Sequence, residues 1–339
     1  TYQILAPNLM CVRHFNHLRS TDCRGGKSNM KHDITYPSSD GKTQIHAIIW
    51  EPEGTPKAVL QICHGMVDYA DRYDDFAQHA AAQGYYVVAN DHLGHGASVV
   101  TDDQHGYFGH PNGNECVIAD IHTLRTMTQK KYPDLPYFFL GHSMGSFLTR
   151  QYIQMHADGL AGAVIMGTGS QPGIVLHIGK LLCRLIALFR GWEYRSSFVD
   201  NMAFGGYNKQ FEPARTPSDW LTKDEAIIDA CVNNPWSTFR FTVNGYYQMF
   251  RGIQYIQNPA HIQQIPKNLP LFFVAGADDP VGNNGKSVTQ VCQQYKDAGI
   301  QDVQIKLYPG DRHEILNETD RDVVYADILT WLNGHLARR

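Results

Sequence analysis

Residues 141–145 read Gly-His-Ser-Met-Gly, a serine with glycine two positions away on either side. A short apolar run, 136–140, precedes it and an amphipathic stretch follows, so the serine falls on a sharp strand-to-helix turn. Such a turn needs both glycines, because neighbouring backbone approaches closely and the serine is held in a strained conformation. A serine hydroxyl is a weak nucleophile at neutral pH. It requires a base within hydrogen-bond reach and a carboxylate that orients the base. Both occur further along the chain, in the order serine, acid, histidine. The apolar run 271–275 leads into Gly276-Ala277-Asp278-Asp279-Pro280-Val281, and Val303–Tyr308 leads into Pro309-Gly310-Asp311-Arg312-His313-Glu314. Three such groups, each just past an apolar run, give Ser143 as nucleophile, His313 as base and Asp278 or Asp279 as the orienting acid. The developing oxyanion then needs two N–H donors. Met144 follows the nucleophile and supplies one; Met66, in the His64-Gly65-Met66 stretch that ends Ala58–Cys63, supplies the other. Each donor of this kind is worth on the order of 3 kcal/mol of barrier.

These residues need a scaffold, and the pattern around them describes one. Gln44–Glu51, Ala58–Cys63, Tyr85–Asn90, 136–140, 161–166, 271–275 and Val303–Tyr308 are short β-rich runs, mostly continuous rather than alternating, as in strands buried on both faces of a parallel sheet. Helical stretches fall between or after them at about 72–83, 114–131, 144–156, 286–298 and 320–337. Thr319 and Asp322 are spaced as a capping box for the last, which places Val324, Ile328, Trp331 and Leu332 on one face. The alternation predicts an α/β fold, a mostly parallel sheet flanked by helices on both sides. It lapses once. Residues 169–265 contain no buried strand and are rich in aromatics, among them Trp192, Trp220, Trp236, Tyr246 and Tyr247. An insertion of that length is too long for a loop and predicts a helical cap. The expected organisation is therefore an N-terminal extension, 1–29, with no function assigned; a core, 30–168; a cap, 169–265; and the remainder of the core, 266–339. The extension has no basic residues ahead of its apolar stretch 4–12, which Pro7 interrupts, so it is a poor secretory signal.

Composition narrows the class. Of 339 residues, 43% are hydrophobic and 18% charged, the balance of an ordinary globular protein. Lys plus Arg is 29 against 33 for Asp plus Glu, a net charge of −4, which gives no reason to expect a nucleic-acid partner. No apolar run approaches the ~18 residues that would span a bilayer. The seven cysteines are odd in number, scattered and without a Cys-x-x-Cys pair, so neither a disulfide framework nor a zinc ribbon is expected. A cytoplasmic location fits that usage. Asp91, His92 and His95 with His64 have no recognisable zinc spacing, and Gly94 and Gly96 mark a tight turn; no metal and no cofactor are expected, and His64 is read as structural.

Taken together, His64-Gly65-Met66, Arg72-Tyr73, Asp91-His92-x-Gly94-His95-Gly96-x-Ser98, the 141–145 turn, Gly276-x-x-Asp279-Pro280-Val281 and Arg312-His313-Glu314 resemble the monoacylglycerol lipase and lysophospholipase branch of the α/β-hydrolases, a branch grouped with the serine aminopeptidase-like hydrolases. The resemblance spans residues 64 to 314 and implies an α/β-hydrolase fold. It selects Asp279 over Asp278, because the acid of this group follows the glycine by three residues, and it makes 91–98 a structural loop. The cap is only loosely similar, and 1–29 match nothing in the group. Within the cap, residues 174–190 form an apolar helix with a narrow polar stripe of His177, Lys180 and Arg184. Such a helix either packs on the core or lines an acyl tunnel, its apolar side touching a lipid surface and its cations near headgroups. The expected function is a serine hydrolase that cleaves carboxylic esters of monoacylglycerols or lysophospholipids through an acyl-enzyme, with peripheral membrane contact through the cap. The alternatives are a short-chain carboxylesterase or thioesterase, an S33-type aminopeptidase, and, more remotely, a non-catalytic binding protein. For an aminopeptidase, Asp200, Glu212, Asp224 and Glu225 are too dispersed to bind a peptide amino terminus.

Overall fold

The structure, a computed structural model, describes residues 30–336. The extension 1–29 assigned from sequence lies outside the described residues, and with it Cys11 and Cys23. Eight strands, β1 (Met30–Pro37), β2 (Gln44–Glu51), β3 (Ala58–Cys63), β4 (Tyr85–Asn90), β5 (Tyr137–His142), β6 (Leu160–Met166), β7 (Leu271–Gly276) and β8 (Val303–Tyr308), form one sheet. Their order is β1-β2-β4-β3-β5-β6-β7-β8. β2 runs antiparallel to β1 and β4, and every pairing from β4 to β8 is parallel. The helices are α1 (Asp74–Ala82), α2 (Gly113–Lys131), α3 (Met144–Met155), α4 (Gly173–Arg190), α5 (Ser197–Phe204), α6 (Glu225–Val232), α7 (Val243–Ile256), α8 (Pro259–Ile262), α9 (Lys286–Asp297) and α10 (Arg321–Gly334).

The two-residue period of the strands sorts their side chains into two layers. Leu60 and Ile62 of β3 and Phe138 and Leu140 of β5 join Phe76 and Ala80 of α1 and Ile328 and Trp331 of α10. Val59 and Cys63 of β3 and Tyr137 and Phe139 of β5 face the other way, onto Ile121 of α2, Leu148 of α3 and Val291 of α9. With helices on both faces, the inner strands are apolar at nearly every position, which is why the sequence reads as continuous runs rather than alternation.

Two sequence expectations are corrected. β8 ends the sheet, so Gln304 and Lys306 are exposed and Ile305 and Leu307 half-buried; burial on both faces fails at that edge. The capping box at Thr319 and Asp322 is not made. α10 begins at Arg321, and Asp320 before it caps no N–H with its side chain. Two residues before Asp320, the buried carboxylate of Glu318 accepts from the N–H of Arg312 (2.8 Å) and, from the cap, the Lys223 N–H (3.0 Å) and the Thr222 hydroxyl (3.0 Å).

Helices α4 to α8 fill the interval between β6 and β7. α7 packs against α4 on one side and α3 on the other. Its Tyr246, Phe250 and Ile253 belong to the same buried cluster as Tyr137 and Phe139 of the sheet, so the cap has no core of its own. α4 lies outermost. Leu176, Gly179 and Cys183 are buried, whereas Ile174, Ile178, Leu181, Leu185 and Leu188, at steps of four and three, are between 48% and 75% exposed. The polar stripe borders α7, with His177 and Arg184 exposed and Lys180 half-buried. Lys180 bonds Gln254, His177 Nε2 lies 3.2 Å from the amide of Gln254, and Arg184 Nη2 donates to the Tyr247 hydroxyl at 2.7 Å, all on α7. Among the described residues no helix is long and apolar enough to cross a membrane.

Candidate active site

The nucleophile candidate sits where β5 gives way to α3. Ser143 has φ 55° and ψ −120°, a conformation a non-glycine residue adopts only under strain, of order 1–3 kcal/mol. The surroundings over-determine it. Ser143 donates its N–H to the Met166 carbonyl of β6 (3.0 Å), and Ser146, one turn into α3, returns its N–H to the Ser143 carbonyl (2.9 Å). The flanking glycines are required by close approach. A Cβ on Gly145 would lie 2.0 Å from the Cys63 carbonyl oxygen, and one on Gly141 2.2 Å from Thr149 Oγ1. The start of α3 therefore seats directly on the end of β3, which brings the Met144 peptide beside the stretch carrying Met66. Among the described residues, neither the Met66 nor the Met144 N–H reaches a protein acceptor.

His313 follows β8 and is 2% exposed; Asp279 follows β7 and is fully buried. His313 Nδ1 lies 3.0 Å from Asp279 Oδ1, which also accepts the Val281 N–H at 2.9 Å. Asp278 points to solvent and makes no contact with the histidine. The structure thus pairs His313 with Asp279, the choice that spacing alone left open. The ring edge of His313 comes within reach of Gly167, beside the nucleophile turn: a Cβ there would sit 3.2 Å from His313 Cε1.

A polar network behind the histidine escaped sequence reading. His142, the residue before the nucleophile, packs at a tilt against His313 with ring centroids 4.7 Å apart, and its Nε2 lies 3.2 Å from the His313 carbonyl oxygen. Burial and the neighbouring His313 push the His142 imidazole down to about 4. The Tyr73 hydroxyl sits between His142 Nδ1 (2.9 Å) and Asp68 Oδ2 (2.8 Å). Arg72 then joins Asp68 (3.1 Å) to Glu314 (2.8 and 2.6 Å), so the loop bearing Met66 is bolted to the loop bearing His313. Burial pushes the Asp68 carboxyl up, but the Arg72 guanidinium and hydrogen bonding outweigh it and hold it at about 2. Asp68 and Arg72 sit at i and i+4, the one local signal of this pairing.

The cap contributes as well. The Trp220 ring lies 5.0 Å from that of His313, and the carbonyls of Trp220 and Leu221 accept the N–H groups of His313 (3.4 Å) and Glu314 (2.7 Å). Lys223 pairs with Asp311 at 2.7 Å, and Arg312 bonds the Asp219 carbonyl. The loop carrying the base is therefore held from both core and cap. The His64, Asp91, His92, His95 set is no coordination sphere: both ring nitrogens of His64 and of His95 are engaged with backbone groups, and both Asp91 oxygens accept backbone N–H groups. The arrangement is suited to acyl transfer: a partly exposed hydroxyl on a strained turn, a buried imidazole–carboxylate pair and two unengaged N–H groups.

Residues 54–320 match the model of the family described as serine aminopeptidase, S33. A monoacylglycerol lipase of Mycolicibacterium smegmatis is 26% identical over 305 residues, 87% of this chain and 95% of its own. A monoglyceride lipase of Homo sapiens is 33% identical over 85% of this chain and 86% of its own. The solved structure of a thermostable carboxyl esterase from Bacillus coagulans superposes with a TM-score of 0.84 at 32% identity, over 91% of this chain and 99% of that one.

Proposed function

The chain belongs to the serine aminopeptidase S33 family, is an α/β-hydrolase and a serine ester hydrolase, and we propose that it releases a fatty acid from a monoacylglycerol or lysophospholipid with Ser143, His313 and Asp279 as its catalytic residues. Ser143 Oγ attacks the ester carbonyl while His313 Nε2 takes its proton. The carbonyl oxygen, now negative, is held by the N–H groups of Met66 and Met144. Collapse breaks the bond to the alcohol, which leaves with the proton from His313. Water, activated by the same imidazole, then attacks the acyl-serine and releases the acid. Asp279, hydrogen-bonded to Nδ1, keeps the ring in the tautomer that leaves Nε2 facing the serine. The observation that carries this reading is the buried His313–Asp279 pair, with the His313 ring edge beside Gly167, the residue after the Met166 carbonyl that holds the strained Ser143 turn.

The substrate class is supported by the lipase relatives and by the cap. A rate series over p-nitrophenyl esters of two to sixteen carbons, run beside monoacylglycerol and lysophosphatidylcholine, tests it. The expected result is a maximum at medium or long chains and turnover of one glycerolipid. A maximum at two to four carbons without lipid turnover favours a short-chain carboxylesterase instead.

We also place the protein's contact with lipid on α4 and divide the cap from the core at 169 and 265. The stripe Ile174, Ile178, Leu181, Leu185, Leu188, with Phe189 79% and Phe198 65% exposed beside it, is an apolar face on a helix whose cations are engaged with α7. Immersing a leucine side chain yields about 1.5–3 kcal/mol. The double variant Leu181→Glu/Leu188→Glu is therefore expected to weaken vesicle cosedimentation about a hundredfold and to slow lipid hydrolysis, while p-nitrophenyl acetate is cleaved within about twofold of the parent rate. Equal loss on both substrates would mean the face serves the fold instead.

A further inference from the structure

Three backbone groups beside the Met66 N–H are held by side chains. Gly65 donates its N–H to Asp68 Oδ2 at 3.2 Å, and Val67 donates its N–H to His95 Nε2 at 3.3 Å. The Gly65 carbonyl accepts from His64 Nδ1 at 2.8 Å. Among the described residues the Met66 N–H meets no protein acceptor. A trans peptide is planar, with its C=O and the following N–H pointing in opposite directions. The Gly65 carbonyl and the Met66 N–H are the two ends of one such unit, so a bond that fixes the first aims the second.

We propose that His64 is a positioning residue for ester hydrolysis: its Nδ1–H, by holding the Gly65 carbonyl, turns the Met66 N–H into the oxyanion site. The inference rests on the reading of Met66 as an oxyanion donor given above. The imidazole suits the task because its other nitrogen is spoken for. His64 Nε2 accepts the N–H of His92 at 2.9 Å, which requires the proton to be on Nδ1. The ring is fully buried and packed against His92 and His95, with centroids 4.1 and 5.1 Å away. Rotation of the Gly65–Met66 peptide would cost the His64 bond in a place that water does not reach. Flexibility at glycine, which the close approach of Gly65 to Ser143 demands, is thereby cancelled: a Cβ on Gly65 would lie 3.3 Å from Ser143 Cβ. A donor that is already aimed has no reorganisation to undergo when charge develops.

Two isosteric replacements separate the nitrogens. His64→Asn places an amide N–H close to the position of Nδ1 and loses Nε2; His64→Gln does the reverse. With p-nitrophenyl butyrate, His64→Gln is expected to lower kcat by about tenfold to a hundredfold with KM within twofold, somewhat less than outright removal of an oxyanion donor. Inhibition by a trifluoromethyl ketone, whose adduct with Ser143 places an oxyanion in the same site, should weaken by the same factor. His64→Asn should keep kcat within about fivefold. If the two variants lose activity equally, or if loss follows the melting midpoint rather than the nitrogen retained, His64 is only a core residue and the proposal is overturned. Labelling the parent protein with 15N-histidine reads the tautomer directly even where a variant does not fold: a proton on His64 Nε2 would also overturn it. Ser143→Ala in the same assay distinguishes the premise from the inference. Loss of turnover there, with equal Asn and Gln effects, removes the clamp alone; retained turnover removes the oxyanion reading and the clamp with it.

Discussion

Replacing Ser143 by alanine should reduce ester hydrolysis by about 10⁴-fold or more while leaving the fold intact. The loss is large because no neighbouring group can stand in. In the proposed mechanism His313, paired with Asp279, is the base, and Met66 and Met144 offer backbone N–H groups only to an oxyanion that must first be formed. What survives is the catalysis that binding and the two donors give to a water attack. The fold should survive because Ser143 is fixed through its backbone, by Met166 and Ser146, and not through its hydroxyl. Alanine meets the same strain at φ 55° that serine already tolerates. The measurement is kcat for p-nitrophenyl butyrate beside a thermal melt, with a fluorophosphonate probe reporting the nucleophile. An unchanged melt with turnover and labelling both abolished is the expected result. Turnover near the parent rate would remove Ser143 from the mechanism.

The second large effect lies in stability. Arg72 bridges Asp68 and Glu314, whose side chains are 4% and 6% exposed. Arg72→Met leaves two carboxylates facing one another without a cation, a change of about 3–5 kcal/mol. The pH dependence follows from the direction of the shifts. The folded-state pKa of Asp68 is held at about 2, below its ordinary 3.8, and burial of Glu314 is likewise outweighed by Arg72, so that its carboxyl is lowered too. Groups depressed in this way add stability that is fully present above the ordinary carboxyl range and is lost as pH falls through about 4 toward 2. In Arg72→Met the same carboxylates are no longer held down, so protonation relieves their repulsion. The difference in urea midpoint between parent and variant should therefore be largest near pH 7 and shrink at pH 4. A gap that widens on acidification would contradict this account. Activity should fall with stability, because the pair joins the loop of Met66 to the loop of His313.

The three proposed catalytic side chains are legible in the sequence because each is announced by local pattern. Gly141, Ser143 and Gly145 lie on one strand-to-helix turn, and Asp279 and His313 each follow an apolar run that must be an inner or edge strand. Distinguishing Asp278 from Asp279 depends on how the turn after β7 rotates successive side chains, and that rotation is set by contacts with β8 and its loop, distant in sequence. His142, Tyr73 and Asp68 meet only after β3 and β5 pair, so no spacing betrays them. For α4 the period groups His177, Lys180 and Arg184 but does not say which residues border α7. The answer lies in Gly179, where a Cβ would come 2.8 Å from Phe250 Cε2: α7 approaches along the small residue, and the neighbouring polar stripe is carried onto it.

The shared core of cap and sheet limits how this protein can diversify. Where an inserted lid has its own interior, lineages can exchange it whole and acquire new substrates at one step. Here Phe241, Tyr246, Phe250 and Ile253 fill space that Tyr137, Phe139 and Leu148 also line. A transplanted lid would have to bring matching shapes for the host sheet or leave voids beneath it. Variation is thereby channelled to the exposed faces of the outer helices α4, α5 and α6, while α7 is constrained like any strand of the sheet.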